Sequence, residues 1–295
     1  MKYSLWPNTG RTAAEILAET KAADDAGWHG VWLADHYMPN TGTSQVDDGP
    51  FQEVWGLLPA VAATTQHVRI GPLVSPTTIH HPALLAKRAA TIDDISGGRF
   101  VLGLGAGWQI NEHEAYGFEL PGKKVLVDRF GEALEITRSL LDEKRTTYAG
   151  TYFQVHDAPC EPKPVQEQLP ILVGAKGPRM LRLVAKHAQE WNTWGTPERA
   201  GAVRAQVLEA CEKLGRDPGT MRTTVNLMLD LDGETPAPAG RHQQGSLAEL
   251  QELVGAYKDT GFDEFILPDW NLGATTAERQ ERAARLKEEI FDVIG

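Results

Sequence analysis

Two hydrophobic rhythms alternate along the chain. Short strand-like runs, most of them apolar at successive positions, recur at Lys2–Leu5, Gly30–Ala34, Val68–Val74, Phe100–Leu104, Ile171–Val173, Glu190–Thr193, Thr223–Leu229 and Glu264–Leu267. Runs of this kind predict parallel strands covered on both faces. Between them lie longer stretches with helical spacing. Thr12 followed by Glu15 has capping-box spacing and predicts a helix that runs to Ala26 and stops at Gly27. Leu57, Leu58, Val61 and Ala62 share one helix face, and Pro82 opens a helix that ends at Gly97-Gly98. Two more helical stretches reach Asp142, and others span Arg179–His187, Pro197–Leu214, Leu247–Thr260 and Thr275–Val293. Lys144–Leu169 breaks the alternation; Tyr148, Tyr152 and Phe153 around Gly150 predict a hairpin insertion. The Pro- and Gly-rich stretch Asp232–Gly245 predicts a mobile loop. Eight strand–helix units in 295 residues predict one α/β domain over residues 1–295, a (β/α)8 TIM barrel with residues 144–169 inserted after the fourth unit. An open doubly wound sheet is the competing architecture.

Composition narrows the partners. A net charge of −11 and a pI near 5.3 disfavour a nucleic-acid face. Cys160 and Cys211 are the only cysteines, too few for a disulfide framework or a zinc ribbon. No apolar run approaches the roughly 18 residues of a membrane span, and the start Met1–Pro7 is too short for a signal peptide. A cytoplasmic protein acting on a small molecule is expected, without membrane or nucleic-acid partners.

In a (β/α)8 barrel the site lies beyond the carboxyl ends of the strands. There stand Trp6, Asp35-His36, Ser75, Gly105-Ala106-Gly107-Trp108, Gly174-Ala175-Lys176-Gly177-Pro178-Arg179, Thr193-Trp194 and Asp269-Trp270. Trp6, Trp108, Trp194 and Trp270 would line a pocket for a large flat ligand, or else close the barrel mouth as packing. His36 has the intrinsic range for proton transfer, with a structural histidine as the plainer alternative; beside Asp35 on alternating sides of the chain, one of the two would face the pocket and the other support it. The Gly105–Gly107 turn is either a place where backbone approaches a ligand or an ordinary tight turn. Gly174–Pro178 before a helix, with Lys176 and Arg179, suits a phosphate; solvated surface charge is the plainer alternative. His80-His81 and Glu112-His113-Glu114 lack the usual metal-ligand spacing, so no metal is expected. A serine or cysteine nucleophile is also disfavoured, because no Gly-x-Ser-x-Gly occurs.

Several stretches together resemble the luciferase-like monooxygenase superfamily over nearly the whole chain, and within it the branch that uses the deazaflavin coenzyme F420. They are Val31–His36, His81–Lys87, Ser96–Trp108, Asn111-Glu112-His113, Pro162-Lys163-Pro164 and Ile171–Gly174. The resemblance implies a barrel with the deazaflavin ring across the strand ends. It implies a non-proline cis peptide in a bulge of the third strand, placed by alignment at Pro72–Leu73. It further implies that Asp35 and Ser75 hydrogen-bond the ring, and that Asn111 and the Gly105–Gly107 backbone meet the cofactor side chain. Lys176 and Gly177 would receive its phosphate, with Leu73, Gly174 and Thr193 completing the cofactor site. His36 matches the base of the sugar-phosphate dehydrogenase members. Those members carry a glutamate where Trp108 stands and a lysine near Thr196, so a neutral or planar organic substrate is expected here instead of a sugar phosphate. A homodimer is implied as well. The expected activity is F420-dependent hydride transfer, with His36 exchanging the proton. The rivals are a reduced-FMN monooxygenase, a non-catalytic flavin-binding barrel, and a hydrolase using Asp35 and Asp269. An anionic cofactor tail in so acidic a chain would require Lys176 and Arg179 as a local exception.

Overall fold

The computed structural model describes residues 1–231 and 241–295. Its strands are β1 (Lys2–Trp6), β2 (Gly30–Leu33), β3 (Arg69–Pro72), β4 (Ser75–Pro76), β5 (Leu102–Gly105), β6 (Thr146–Ala149), β7 (Gln154–Ala158), β8 (Ile171–Gly174), β9 (Glu190–Trp194), β10 (Arg222–Asn226), β11 (Met228–Asp230), β12 (His242–Gln244) and β13 (Glu264–Pro268). Nine segments form one parallel sheet in the order β3-β2-β1-β13-β10-β9-β8-β5-β4. A parallel bridge between Ile70 and Phe100 joins the third stave to the fourth and rounds the sheet into a barrel. The expected (β/α)8 architecture is therefore the observed one, and the open sheet is excluded. The insertion forms the expected hairpin, β6 antiparallel to β7.

The continuous apolar strands are explained by their two burials. Val31 and Leu33 of β2, Ile171 and Val173 of β8, and Phe265 and Leu267 of β13 pack outward under the helices. Trp32, Leu172 and Ile266 point into the barrel, with Trp6, Ala34, Leu73 and Val101. Successive side chains on a strand face opposite ways, so a stave buried on both faces is apolar through its middle unless buried polar side chains bond one another, as Asn192 does with Thr224 and Asn226. Strand starts are different. Arg69, Arg222, Glu190 and Glu264 form an ionic floor at the amino end of the barrel, to which Ser4 and Trp32 also donate hydrogen bonds through Glu264.

The outer layer comprises α1 (Ala13–Asp25), α2 (Val54–Thr64), α3 (Pro82–Ser96), α4 (Ile110–Tyr116), α5 (Lys123–Asp142), α6 (Pro178–His187), α7 (Pro197–Lys213), α8 (Leu247–Asp259) and α9 (Thr276–Leu286). Thr12 with Glu15, Ser246 with Glu249 and Thr275 with Glu278 close reciprocal capping boxes, each satisfying two amides that a helix start leaves free. The last predicted helix changes at Leu286 into a π-helical turn, Lys287–Phe291, before α10 (Asp292–Ile294). No helix among the described residues is long and apolar enough to cross a membrane.

Two predicted strands are split. The third breaks between β3 and β4, where Leu73–Val74 is cis; the bond expected at Pro72–Leu73 thus lies one position later. The neighbouring stave makes room with glycines. A Cβ at Gly103 would stand 1.9 Å from the Pro72 carbonyl oxygen, and one at Gly105 would stand 2.8 Å from a methyl of Val74. The seventh breaks after Asn226, and β11 leaves the barrel to pair with β12. The mobile loop expected over 232–245 falls outside the described residues at 232–240, while His242–Gln244 is strand.

Candidate active site

The carboxyl ends of the staves carry nearly every residue singled out above. Asp35, just past β2, is 1% exposed. Its Oδ2 accepts from Trp55 Nε1 at 2.9 Å, from the Ser75 hydroxyl, and stands 2.9 Å from His80 Nε2. Burial alone would favour the neutral acid. The hydrogen bonds and charge of His80, with those of Ser75 and Trp55, outweigh it and hold the carboxyl below its ordinary value. Asp35 is thus a buried carboxylate anchored at one oxygen, and among the described residues no hydrogen bond reaches Oδ1. Trp55 and His80, which hold it, were not marked by the sequence reading; His80 was seen only as a poor metal ligand.

His36 faces the other way, as the alternation at a strand end requires. Its side chain is 17% exposed, and its Nδ1 lies 2.8 Å from Oε1 of Glu112, itself 1% exposed. The second Glu112 oxygen accepts from the Tyr37 amide at 2.9 Å. A carboxylate on Nδ1 fixes that nitrogen as the donor and leaves Nε2 to exchange a proton. Trp108 packs edge-on to His36 at 5.5 Å and Phe51 at 6.1 Å, so the imidazole sits in an aromatic notch. Glu112 is the partner sequence reasoning missed. Its position on the first turn of α4, one residue after Asn111, was the available signal.

The four tryptophans are not one group. Trp6, Trp194 and Trp270 form a cluster, with centroids 5.1 Å apart for Trp6–Trp270, 5.5 Å for Trp6–Trp194 and 6.0 Å for Trp194–Trp270. Leu73 and Val74 of the bulge belong to the same interior cluster. Trp108 stands apart at the rim, 52% exposed, against His36.

Gly105 ends β5, and Ala106 and Gly107 follow it. Gly107 has φ of +99°, and a Cβ there would meet Thr78 Oγ1 at 2.3 Å. The glycines of this turn are thus required at 105 and 107 by protein neighbours, whatever else approaches the backbone. Asn111 is fully buried; its Nδ2 donates to the Pro39 carbonyl at 2.9 Å, while Oδ1 has no partner. Thr193 is buried at the end of β9.

The segment Gly174–Pro178 links β8 to α6. Gly177 adopts φ of +86° before α6, has open space where a Cβ would go, and α6 starts with no side-chain cap. Lys176 reaches the Trp194 carbonyl at 3.1 Å. Burial, then the charge of Arg241, pushes its ammonium below the ordinary value. The Arg241 guanidinium lies 5.1 Å from the Trp194 ring centre. Arg179, by contrast, is exposed and paired with Asp128 of α5, away from this cluster. The cation whose charge acts on Lys176 is thus Arg241, which stands at the edge of a Pro- and Gly-rich stretch, whereas Arg179 is engaged by Asp128. Gly174 packs against Val74, 3.4 Å from where its Cβ would be.

Asp269, the hydrolase candidate, is enclosed elsewhere. It accepts from Arg11 at 2.6 Å and from the Asn8 amide at 3.0 Å, and burial, only partly offset by Arg11, pushes it up to about 6. Asp35 and Asp269 each serve their own partners and share none.

A parallel barrel whose mouth carries a His–carboxylate pair, an aromatic cluster and a cationic pair at a helix start is a (β/α)8 scaffold with its site at the strand ends. Residues 2–236 match the luciferase-like monooxygenase family, and the chain belongs to that family. It is 35% identical over 267 residues to an F420-dependent glucose-6-phosphate dehydrogenase of Microbacterium testaceum, covering 90% of this chain and 71% of that protein. It is 32% identical over 240 residues to a protein of the same name from Kineococcus radiotolerans, covering 78% and 69%. A solved F420-dependent secondary alcohol dehydrogenase, in complex with an F420–acetone adduct, shares the fold with a TM-score of 0.83 at 20% identity, over 98% of this chain and 99% of that one.

Proposed function

We propose that the protein is an F420-dependent oxidoreductase that moves a hydride between the deazaflavin and a small organic substrate. The carrying observation is that one barrel mouth holds the His36–Glu112 pair, the aromatic cluster and the Lys176–Arg241 pair. The F420-dependent relatives supply the same direction. The residues fit the coenzyme in three respects. Asp35 Oδ1 is an acceptor for a ring N–H. Asn111 Oδ1 is a buried acceptor with no partner. Lys176, next to Gly177 at the uncapped start of α6, feels the like charge of Arg241, a repulsion that a phosphate relieves.

Bound there, the coenzyme would supply two electrons and a proton as hydride at C5 of its ring. The protein's residues do the rest. Glu112 holds the His36 ring so that Nε2 exchanges the proton that accompanies hydride transfer. Leu73, Val74 and the tryptophan cluster give the ring and the acceptor an apolar bed that excludes water. The sugar phosphate of the named relatives is not carried over, because Trp108 and Thr196 stand where such enzymes have a glutamate and a lysine. A neutral or planar carbonyl compound, or the matching alcohol, fits the aromatic mouth. As part of the same reading, supported by the family resemblance, the protein works in the cytoplasm as a homodimer.

Turnover tests the proposal. Reduced F420 is mixed with a panel of ketones and enones, and the rise of oxidised F420 absorbance is followed for wild type and His36→Ala. The proposal expects oxidation with at least one acceptor and its loss in the variant. Unchanged turnover in His36→Ala removes the proton role; oxidation driven only by reduced FMN and oxygen favours the monooxygenase alternative.

A further inference from the structure

The interior of the barrel mouth holds two hydrogen-bond donors with nothing to bond among the described residues. Nε1 of Trp6 and Nε1 of Trp270 are both shut off from solvent and have no acceptor there. Trp6 is 5% exposed, at the end of β1 in the cluster formed with Leu73 and Ile266. Buried indole N–H groups ordinarily find an acceptor, and leaving one without is unfavourable. Three other buried indoles do find an acceptor. Trp32 donates to Glu264, Trp55 to Asp35 and Trp191 to the Ala175 carbonyl, each at 2.9 Å. The packing of the two rings does not remove the deficit. Trp6 and Trp270 meet edge to face, with planes at 74°. In that geometry only one ring can turn its N–H edge to the other's face, so a weak N–H···π contact serves at most one donor.

We propose that Trp6 and Trp270 form a subsite for the oxygen of a neutral carbonyl compound or the matching alcohol. Their N–H groups hold the oxygen, and the cluster's rings cover the carbon body. The donors carry no charge, so a carboxylate would give up its hydration without a counter-charge, whereas a ketone oxygen is matched. This rests on the oxidoreductase reading above and names the substrate feature that its mouth selects. Trp6 and Trp270 thereby become specificity-determining residues.

Two isosteric probes test the subsite on the full chain, with and without oxidised F420: cyclohexanone, and methylenecyclohexane, in which CH2 replaces the oxygen. The protein's eight tryptophans give eight indole N–H signals in a 15N-labelled sample. Trp6→Phe and Trp270→Phe, which keep a ring, assign two of them by their disappearance. The proposal expects those two signals to move downfield with cyclohexanone and not with methylenecyclohexane. It expects cyclohexanone to bind about tenfold tighter than methylenecyclohexane, and each variant to lose about that factor for the ketone only. Equal binding of the two probes by the wild type, which needs no variant, overturns the proposal. So does a shift of both signals on adding F420 with no further response to the ketone, since the donors would then serve the coenzyme. Failure of F420 to bind, with ketone discrimination intact, would overturn the coenzyme reading and leave the subsite standing.

Discussion

The His36–Glu112 pair gives the sharpest functional prediction. Replacing Glu112 by Gln removes a negative charge that lies 2.8 Å from Nδ1 and is shielded from water. The amide keeps the size of the carboxyl group but can accept through only one atom. If its oxygen faces His36, its NH2 group confronts the Tyr37 amide, which now donates to the second Glu112 oxygen. If it flips, NH2 faces Nδ1 and forces the opposite tautomer, with the proton on Nε2. A hydrogen bond to a charged group contributes about 1.5–3 kcal/mol net, which corresponds to roughly 10- to 150-fold in rate. Glu112→Gln is therefore expected to lower kcat by about that factor, using the acceptor that wild type reduces fastest, while the F420 dissociation constant stays within about twofold. The two residues act as one unit, so Glu112→Gln added to His36→Ala is expected to change nothing further. A Glu112→Gln enzyme with wild-type kcat, or additive losses in the double variant, would refute the assignment of Glu112 as the residue that positions His36.

Other expectations follow from the same structure. Burial first, then Lys186, pushes His187 from 6.5 down to about 4. A depressed histidine contributes stability that is present above the unfolded value and is lost as pH falls towards the folded one. Up to about 3 kcal/mol should disappear between pH 6.5 and 4, and His187→Leu should flatten that limb in urea titrations at pH 7.5 and 5. His29, pushed down to about 4 chiefly by burial, adds a limb of the same sign. Lys176→Ala and Arg241→Ala should each weaken F420 binding about tenfold at low salt, and Arg179→Ala, whose partner is Asp128, should leave it unchanged by fluorescence titration. Gly103→Ala should yield no soluble folded protein, because its Cβ would stand 1.9 Å from backbone that cannot yield cheaply.

The barrel was legible because its causes are local. Apolar runs such as Val31–Leu33 and Phe265–Leu267 record burial on two faces, and Thr12 with Glu15 records a helix start. Candidate residues could be singled out in the sequence where the side-chain type itself suggests a chemistry, as at His36, Asp35 and Lys176. Partners were obscure where they come from a helix or loop distant in the chain. Glu112 reaches His36 across 76 positions, and His80 reaches Asp35 across 45. Arg241 acts on Lys176 through space, from the edge of a stretch whose composition signals only a loop. The pairing of Arg179 with Asp128 on α5 is the reverse case, since nearness in sequence to Lys176 says nothing of it. The position of the cis bond depends on how Val74 fits between Gly105 and Gly174, a fit made by three staves that no single stretch displays.

The central claim is that this mouth binds a deazaflavin. Fluorescence titration of the full chain with coenzyme F420 and, separately, with FMN tests it most directly. Saturable binding of F420 at micromolar concentration, at least about tenfold tighter than FMN and weakened by Lys176→Ala, is the predicted result. FMN binding with no saturable response to F420 would contradict it.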